Sequence, residues 1–259
     1  MTITADQDWW KDLFDETYLT TDARSVCNDR LTRREIDFFS QLIPLQTHHR
    51  ILDLCGGHGR HTLELCRRGF TGCTVLDYSS TLLKKGIQTA GRADCPVGFV
   101  QSDARWVPLA PESFDRVLLL GNSLGYAGGE APDLQILAEA LRVMKAGGWL
   151  LLDITDGSYV KSHFHANAWH EIGDDVVVCR QREMHDAFVC ARELVISKKS
   201  GFVRDRTYCL RIYGAEELQQ LLDRAGFAQI RVLTDFSPFE SEEDVGFMNH
   251  RMIATARKS

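Results

Sequence analysis

The chain has 259 residues, 44% of them hydrophobic and 25% charged, which is the balance of an ordinary globular protein. That balance, with 13 Phe, 5 Trp and 6 Tyr, excludes collagen-like, low-complexity and disordered chains. Thirty basic against 36 acidic residues leave a net charge of −6. This is the opposite of the bias carried by proteins that grip a phosphate backbone, so no nucleic-acid partner is expected.

Residues 8 to 43 read as helical, with Trp9, Trp10, Leu13, Phe14, Leu31, Ile36, Phe39, Leu42 and Ile43 at helical spacing and Pro44 closing the stretch. A short apolar run, Ile51-Leu52-Asp53-Leu54-Cys55, meets Gly56-Gly57-His58-Gly59, and a helical pattern follows to Gly69. The alternation of strand and helix continues. Strands are expected at 73–77, ending on Asp77, at 98–100 with Asp103 just beyond, at 114–120 before Gly121-Asn122-Ser123, and at 149–153. Helices are expected from Leu82 to Gly86 and from Asp133 to Met144, the latter stopped by Gly147-Gly148. This rhythm predicts a doubly wound, parallel α/β sheet with right-handed crossovers.

Around Tyr159 the period changes to two, with strand-like runs at 175–179, 188–196 and 204–212 separated by turn signals. They predict an antiparallel meander inserted before a helix at 215–225 and two closing strands, at 229–234 and 248–256. The expected organisation is an N-terminal helical lid (1–44), a cofactor-binding core (45–158), an inserted β cap (159–213), and the closing helix and strands (214–259).

No stretch approaches the ~18 apolar residues that span a bilayer, so no membrane partner is expected. The acidic, Trp-bearing first residues do not resemble a secretory leader. Eight cysteines form no Cys-x-x-Cys pair and no zinc spacing, which predicts reduced core thiols, no metal and a cytoplasmic location.

A glycine turn between a first strand and a helix lets a ligand approach the backbone. Taken alone it is a weak signal. Asp77, 18 residues past Gly59, adds a carboxylate suited to two ribose hydroxyls, and Asp103 adds one suited to an adenine amino group. With those elements in order, Ile51-Leu52-Asp53-Leu54-Cys55-Gly56-Gly57-His58-Gly59-Arg60, Val75-Leu76-Asp77-Tyr78-Ser79 and Gln101-Ser102-Asp103-Ala104 resemble the first three motifs of the class I S-adenosylmethionine (SAM)-dependent methyltransferases. Ser113 to Leu118 with Asn122 to Tyr126, and Leu141 to Gly148, resemble that family's fourth-strand region and its turn before strand five. The likeness spans about residues 45–155, and more loosely 211–227. The nicotinamide-enzyme pattern Gly-x-Gly-x-x-Gly fails here, because Arg60-His61-Thr62 follows Gly59.

The resemblance implies a seven-stranded Rossmann-like sheet, SAM as cofactor, and a small-molecule methyl acceptor of metabolite or natural-product type, accepting on nitrogen or oxygen. It implies that Cys55, Gly56, Gly57 and Gly59 form the cofactor turn and that Asp53 orders it. Asp77 would hold the ribose, Tyr78 would flank the adenine, and Asp103 and Ala104 would read its edge. Gly121 and Asn122 would lie near the sulfonium, with Tyr18 and Arg24 in the lid. Cys55 is a departure, since the family has Gly there.

In-line displacement needs chiefly a well-placed nucleophile, with a base where the acceptor requires one. Tyr126, His163 and His165 are the catalytic candidates, and His170, Arg211 and Tyr213 are candidate substrate contacts. His163-x-His165 lacks a third metal ligand. Two other readings stay open: a methyltransferase of RNA or protein, and a SAM-binding regulatory protein without catalysis. A monomer and a homodimer fit the sequence equally.

Overall fold

The computed structural model describes residues 2–238 and 250–259. The N-terminal region forms four helices where the sequence suggests one long helical stretch: α1 (Trp10–Leu13), α2 (Glu16–Thr21), α3 (Ala23–Val26) and α4 (Asp29–Leu42). Polar side chains divide it. Asp15 accepts a hydrogen bond from Tyr18 N (3.0 Å) and Asn28 accepts one from Leu31 N (3.0 Å), so each starts a new helix.

Then follow β1 (Ile51–Leu54), α5 (Arg60–Arg67), β2 (Cys73–Asp77), α6 (Ser80–Arg92), β3 (Gly98–Gln101), β4 (Phe114–Leu119), α7 (Glu130–Val143) and β5 (Met144–Thr155). Gly147-Gly148 does not end α7. It lies inside β5, where the ladder with β4 loses register between Phe114 and Arg116. After β5 come α8 (Gly157–Ser162), β6 (Asn167–Ile172), β7 (Val176–His185), β8 (Phe188–Ser197), β9 (Gly201–Arg211), α9 (Ala215–Arg224), β10 (Ala228–Phe236) and β11 (Arg251–Arg257). The residues expected to begin the last strand, from Met248, fall partly outside the described chain.

Seven strands form one sheet in the order β10-β11-β5-β4-β1-β2-β3. The five strands β1 to β5 run parallel, and β11 pairs antiparallel with both β5 and β10. Every residue of β1 is buried, as a central strand covered on both faces requires. One cluster, with Leu52, Leu54, Leu137 and Leu150, packs one face of the sheet, and another, with Ile36, Phe39, Ile51 and Leu65, packs the other. Because β2 and β4 flank β1 and the chain leaves β1 in opposite directions, a crevice opens at their carboxyl ends.

The second sheet, β6-β7-β8-β9, is antiparallel throughout. Its two ends meet where Asp156 bridges Tyr213 and Gly157 N donates to Tyr213 O (2.9 Å). One expectation is corrected here. Cys190 and Cys209 sit directly opposite each other on β8 and β9 and form a disulfide, while Cys27, Cys55, Cys66, Cys73, Cys95 and Cys179 are free thiols. Cross-strand register decides that pairing, and cysteine spacing does not reveal register. No helix among the described residues is long and apolar enough to cross a membrane.

Candidate active site

At the end of β1 the backbone turns left-handed at Cys55 (φ 59°), Gly57 (59°) and Gly59 (75°), and Gly59 starts α5. A side chain at Gly56 would sit 2.6 Å from the Asp53 carboxyl carbon, so only glycine fits above that acid. Asp53 is buried. Its Oδ2 accepts from Thr62 Oγ1 (2.8 Å), while Oδ1 has no partner among the described residues. Burial pushes its carboxyl up to about 6, against the Thr62 hydrogen bond.

Asp77, the last residue of β2, ties the turn together. Oδ2 accepts from Gly57 N (2.7 Å) and Oδ1 from Ser79 N (2.8 Å). Burial raises its pKa while these backbone donors oppose the rise. Each oxygen keeps a lone pair for a further donor, which is what two adjacent hydroxyls need. Asp103 is already engaged: Arg105 Nη2 lies 2.5 Å from Oδ2 and Arg105 N lies 2.9 Å from Oδ1. Burial would raise this carboxyl, but Arg105 holds it below its ordinary value.

The turn at Cys55, Gly56 and Gly57 lines a cavity of about 240 Å³ together with Asp77, Asp103 and residues of the second sheet. The N-terminal segment closes it. Trp10 packs edge-on to Tyr78 (4.8 Å between ring centres) with the Arg105 guanidinium 5.3 Å from its ring, and Ser79 Oγ donates to Phe14 O (2.6 Å). Deeper in, Phe14 meets Tyr18 at 5.0 Å and Tyr126 at 5.6 Å. Trp9 stands against both Tyr126 (5.4 Å) and Tyr208 (5.7 Å).

Of the expected cofactor residues, Tyr18, Cys55, Gly56, Gly57, Asp77, Tyr78, Asp103, Ala104, Gly121 and Asn122 line this one cavity, together with Tyr126. Asp53 and Gly59 lie behind the lining, as support for the turn. Gly121 N donates to Asp153 Oδ2 (3.1 Å), and Asn122 Oδ1 accepts from Thr155 N (2.9 Å), so the loop after β4 is pinned to β5. Arg60, at the start of α5, also lines the cavity. Its side chain is 11% exposed, and Nη1 bonds Thr32 Oγ1 (3.0 Å) and the Glu35 carboxylate.

The structure does not bring the other candidates to the cavity. Arg24 lies outside the lining, near His170. His163 is exposed at the C-terminal end of α8, its ring stacked on Tyr159 (4.1 Å), and His165 is exposed in the loop that follows. His170 is half-buried on β6, with Nε2 3.3 Å from Thr21 O. Arg211 pairs with Glu130 (2.9 Å), and Tyr213 OH donates to buried Asp133 (2.5 Å). These two fasten the end of the cap to α7, which carries Glu130 and Asp133.

What faces the cavity from the cap is a set the sequence reading passed over: Arg180, Arg182, Glu193, Arg204, Tyr208 and Leu210. Burial raises the phenols of Tyr18, Tyr126 and Tyr208, so all three are neutral hydrogen-bonding groups. Burial, helped by the Arg60 charge, pushes His58 and His61 down to about 4, leaving neutral imidazoles.

Residues 51–148 match the family model described as a methyltransferase domain. The glycine/sarcosine N-methyltransferase of Aphanothece halophytica is 28% identical over 225 residues, covering 83% of this chain and 80% of that protein. The CcbJ methyltransferase of Streptomyces caelestis superposes with a TM-score of 0.75 at 17% identity, covering 98% of this chain and 99% of the other. The SAM-bound amino pentose methyltransferase CalS10 of Micromonospora echinaspora gives a TM-score of 0.65 at 18% identity, over 95% and 99% of the two chains. The fold is that of the class I methyltransferases. This chain is a SAM-dependent methyltransferase whose methyltransferase domain lies at residues 51–148.

SAM fits the residues present. The left-handed turn admits its close approach, Asp77 keeps acceptor capacity for hydroxyls, and an orphaned carboxylate oxygen of Asp53 lies directly beneath Gly56.

Proposed function

We propose that the enzyme methylates an amine nitrogen of a small molecule. The observation that carries this is the chemistry of the cavity wall between the cofactor turn and the cap. It holds neutral phenols, two imidazoles that are very weak bases, and carboxylates that arginines or backbone amides already engage (Asp22, Asp77, Asp103 and Glu193), so no described lining group stands free to deprotonate an alcohol at neutral pH. An amine that enters as its free base already has its lone pair, and a buried site favours that uncharged form.

In this reading Gly57, Asp77, Tyr78, Asp103 and Ala104 hold the nucleoside, and Cys55, Gly121 and Asn122 flank the methionine portion. Bound SAM supplies a methyl group on a positively charged sulfur, a good leaving group. Tyr126, Phe14 and Tyr208 exclude water and orient the acceptor, which is the contribution an in-line displacement most needs. The glycine/sarcosine and amino pentose substrates named for the relatives support an amine acceptor of this size.

The test is a turnover screen with methyl-labelled SAM against matched amines and alcohols. Labelled N-methyl products are expected, with rates that climb with pH toward the acceptor's own pKa. Exclusive O-methylation would overturn the nitrogen assignment and call for a base elsewhere.

A further inference from the structure

We propose that Arg180 is the seat of a carboxylate on the acceptor, and that Asp22 of the N-terminal segment occupies that seat until the acceptor displaces it. This rests on the small-molecule reading above and names the substrate class: acceptors that carry a carboxylate.

Arg180, Arg182 and Arg204 line the cavity, whereas the sheet contributes one lining carboxylate, Glu193. Glu193 lies directly opposite Arg180 in the β7–β8 register. It accepts from Arg180 Nε (2.8 Å) and Arg204 Nη2 (2.5 Å). Glu193 is thus shared between two guanidiniums, and Arg180 and Arg204 each keep donors for a second carboxylate.

The N-terminal segment contributes two more carboxylates, and they are not alike. Asp15 reaches Arg204 Nη1 (3.0 Å) while also capping α2 through Tyr18 N, so the fold uses it twice. Asp22 places both oxygens on Arg180 Nη2 (3.0 and 3.1 Å). It makes no side-chain cap to α3, it lines the cavity, and its side chain is 28% exposed. Its other side-chain partner is the neighbouring Thr21 hydroxyl (2.8 Å).

Asp22 is therefore a carboxylate held on a buried arginine, inside the cavity, without a structural duty that fixes it there. An incoming carboxylate makes the same charge-assisted bonds, so the exchange never strips Arg180 of its counter-ion. It also uncouples α3 from the cap at the moment the acceptor enters, which ties acceptor binding to the closing segment.

The experiment is calorimetry on protein loaded with S-adenosylhomocysteine. The probes are the protein amino acids and sarcosine, each beside its primary amide. At least one acid is expected to bind about tenfold or more tightly than its amide, and Arg180→Gln should abolish that preference. Asp22→Asn should tighten binding of the same acid several-fold, a sign that mere structural damage does not produce, with S-adenosylhomocysteine affinity unchanged. The proposal falls if no acid binds, if acids and amides bind alike, or if Asp22→Asn leaves binding unchanged or weaker. Failure of S-adenosylhomocysteine itself to bind strikes the cofactor site and takes the proposal down with it.

Discussion

Arg251 and Glu35 lie 216 residues apart in sequence, yet Nη2 and Oε1 meet at 2.5 Å with neither side chain exposed. The other arm of the guanidinium, Nη1, bonds Asp153 Oδ2 (2.6 Å), which also accepts from Gly121 N at the cavity. Glu35 in turn receives Arg60 and lies 3.0 Å from His61 Nε2. One buried ionic hub thus ties α4, α5, β5 and β11 to the loop after β4 that lines the cavity. Burial alone would raise the Glu35 pKa, but Arg60 and Arg251 hold it well below the carboxylate range.

Removing one member of such a hub strands its partners. Arg251→Met keeps length and removes charge, and it should destabilise the protein by about 3–5 kcal/mol, read as a lower urea midpoint. A loss below about 1 kcal/mol would mean that water replaces the guanidinium and that the hub does not hold the fold together.

Cys55 stands at φ 59° where the family has glycine. A non-glycine residue in this region carries roughly 1 kcal/mol of strain, partly offset because glycine costs more chain entropy on folding. Cys55→Gly should therefore match or slightly exceed the parent in Tm, and a β-branched Cys55→Val should fall clearly below both. Equal melting of all three variants would remove backbone strain as the reason for glycine in the motif.

The strand–turn–helix at β1 and the acids ending β2 and following β3 were legible because both the period of apolar residues and the glycines mark them locally. The cap's inner face was not. Arg180 and Arg182 alternate along β7 as solvent-facing charges do, and only the packing of the second sheet over the crevice turns that face inward. A histidine pair after strand five looks chemical in sequence, yet His163 at the end of α8 stacks on Tyr159, His165 is exposed in the loop beyond, and neither is in the cavity lining. Asp15 and Asn28 read as ordinary polar positions in a helical pattern, but each is the cap that divides it.

Asp77 holds Gly57 N and Ser79 N, and each of its oxygens keeps acceptor capacity for a further donor. Asp77→Ala should weaken SAM binding by about 2–4 kcal/mol, through lost charge-assisted bonds and a loosened turn. Asp77→Asn preserves shape and should recover part of that loss. Calorimetric titration with SAM reads both, and an unchanged affinity in folded Asp77→Ala would remove the ribose assignment.

Tyr126 OH lies 3.5 Å from Asn122 Nδ2, and burial raises its phenol above the ordinary tyrosine value, so it acts as a neutral group at physiological pH. Tyr126→Phe should leave SAM affinity intact and lower kcat by about tenfold or less, without changing the shape of the pH–rate profile. A drop of about 1,000-fold together with loss of a pH limb would make Tyr126 a proton-transferring residue instead.

Asp53 provides a pH test with an unusual sign. Its folded pKa of about 6 lies above the ordinary value of 3.8, so between these values the folded state binds more protons than the unfolded state. Stability contributed by this group is therefore fully present below the unfolded value and is lost as pH rises through about 6. The difference of roughly two pKa units corresponds to about 3 kcal/mol. Glu35 contributes in the opposite sense: its lowered pKa gives stability above the unfolded value that is lost as pH falls, so the parent protein alone shows a mixture. The difference between the parent and Asp53→Asn isolates the Asp53 part. Urea midpoints should show the variant gaining on the parent by about 1–3 kcal/mol between pH 4 and pH 7. A gain in the reverse direction would mean that Asp53 is charged and well solvated in the folded protein, and that its orphaned oxygen has a partner.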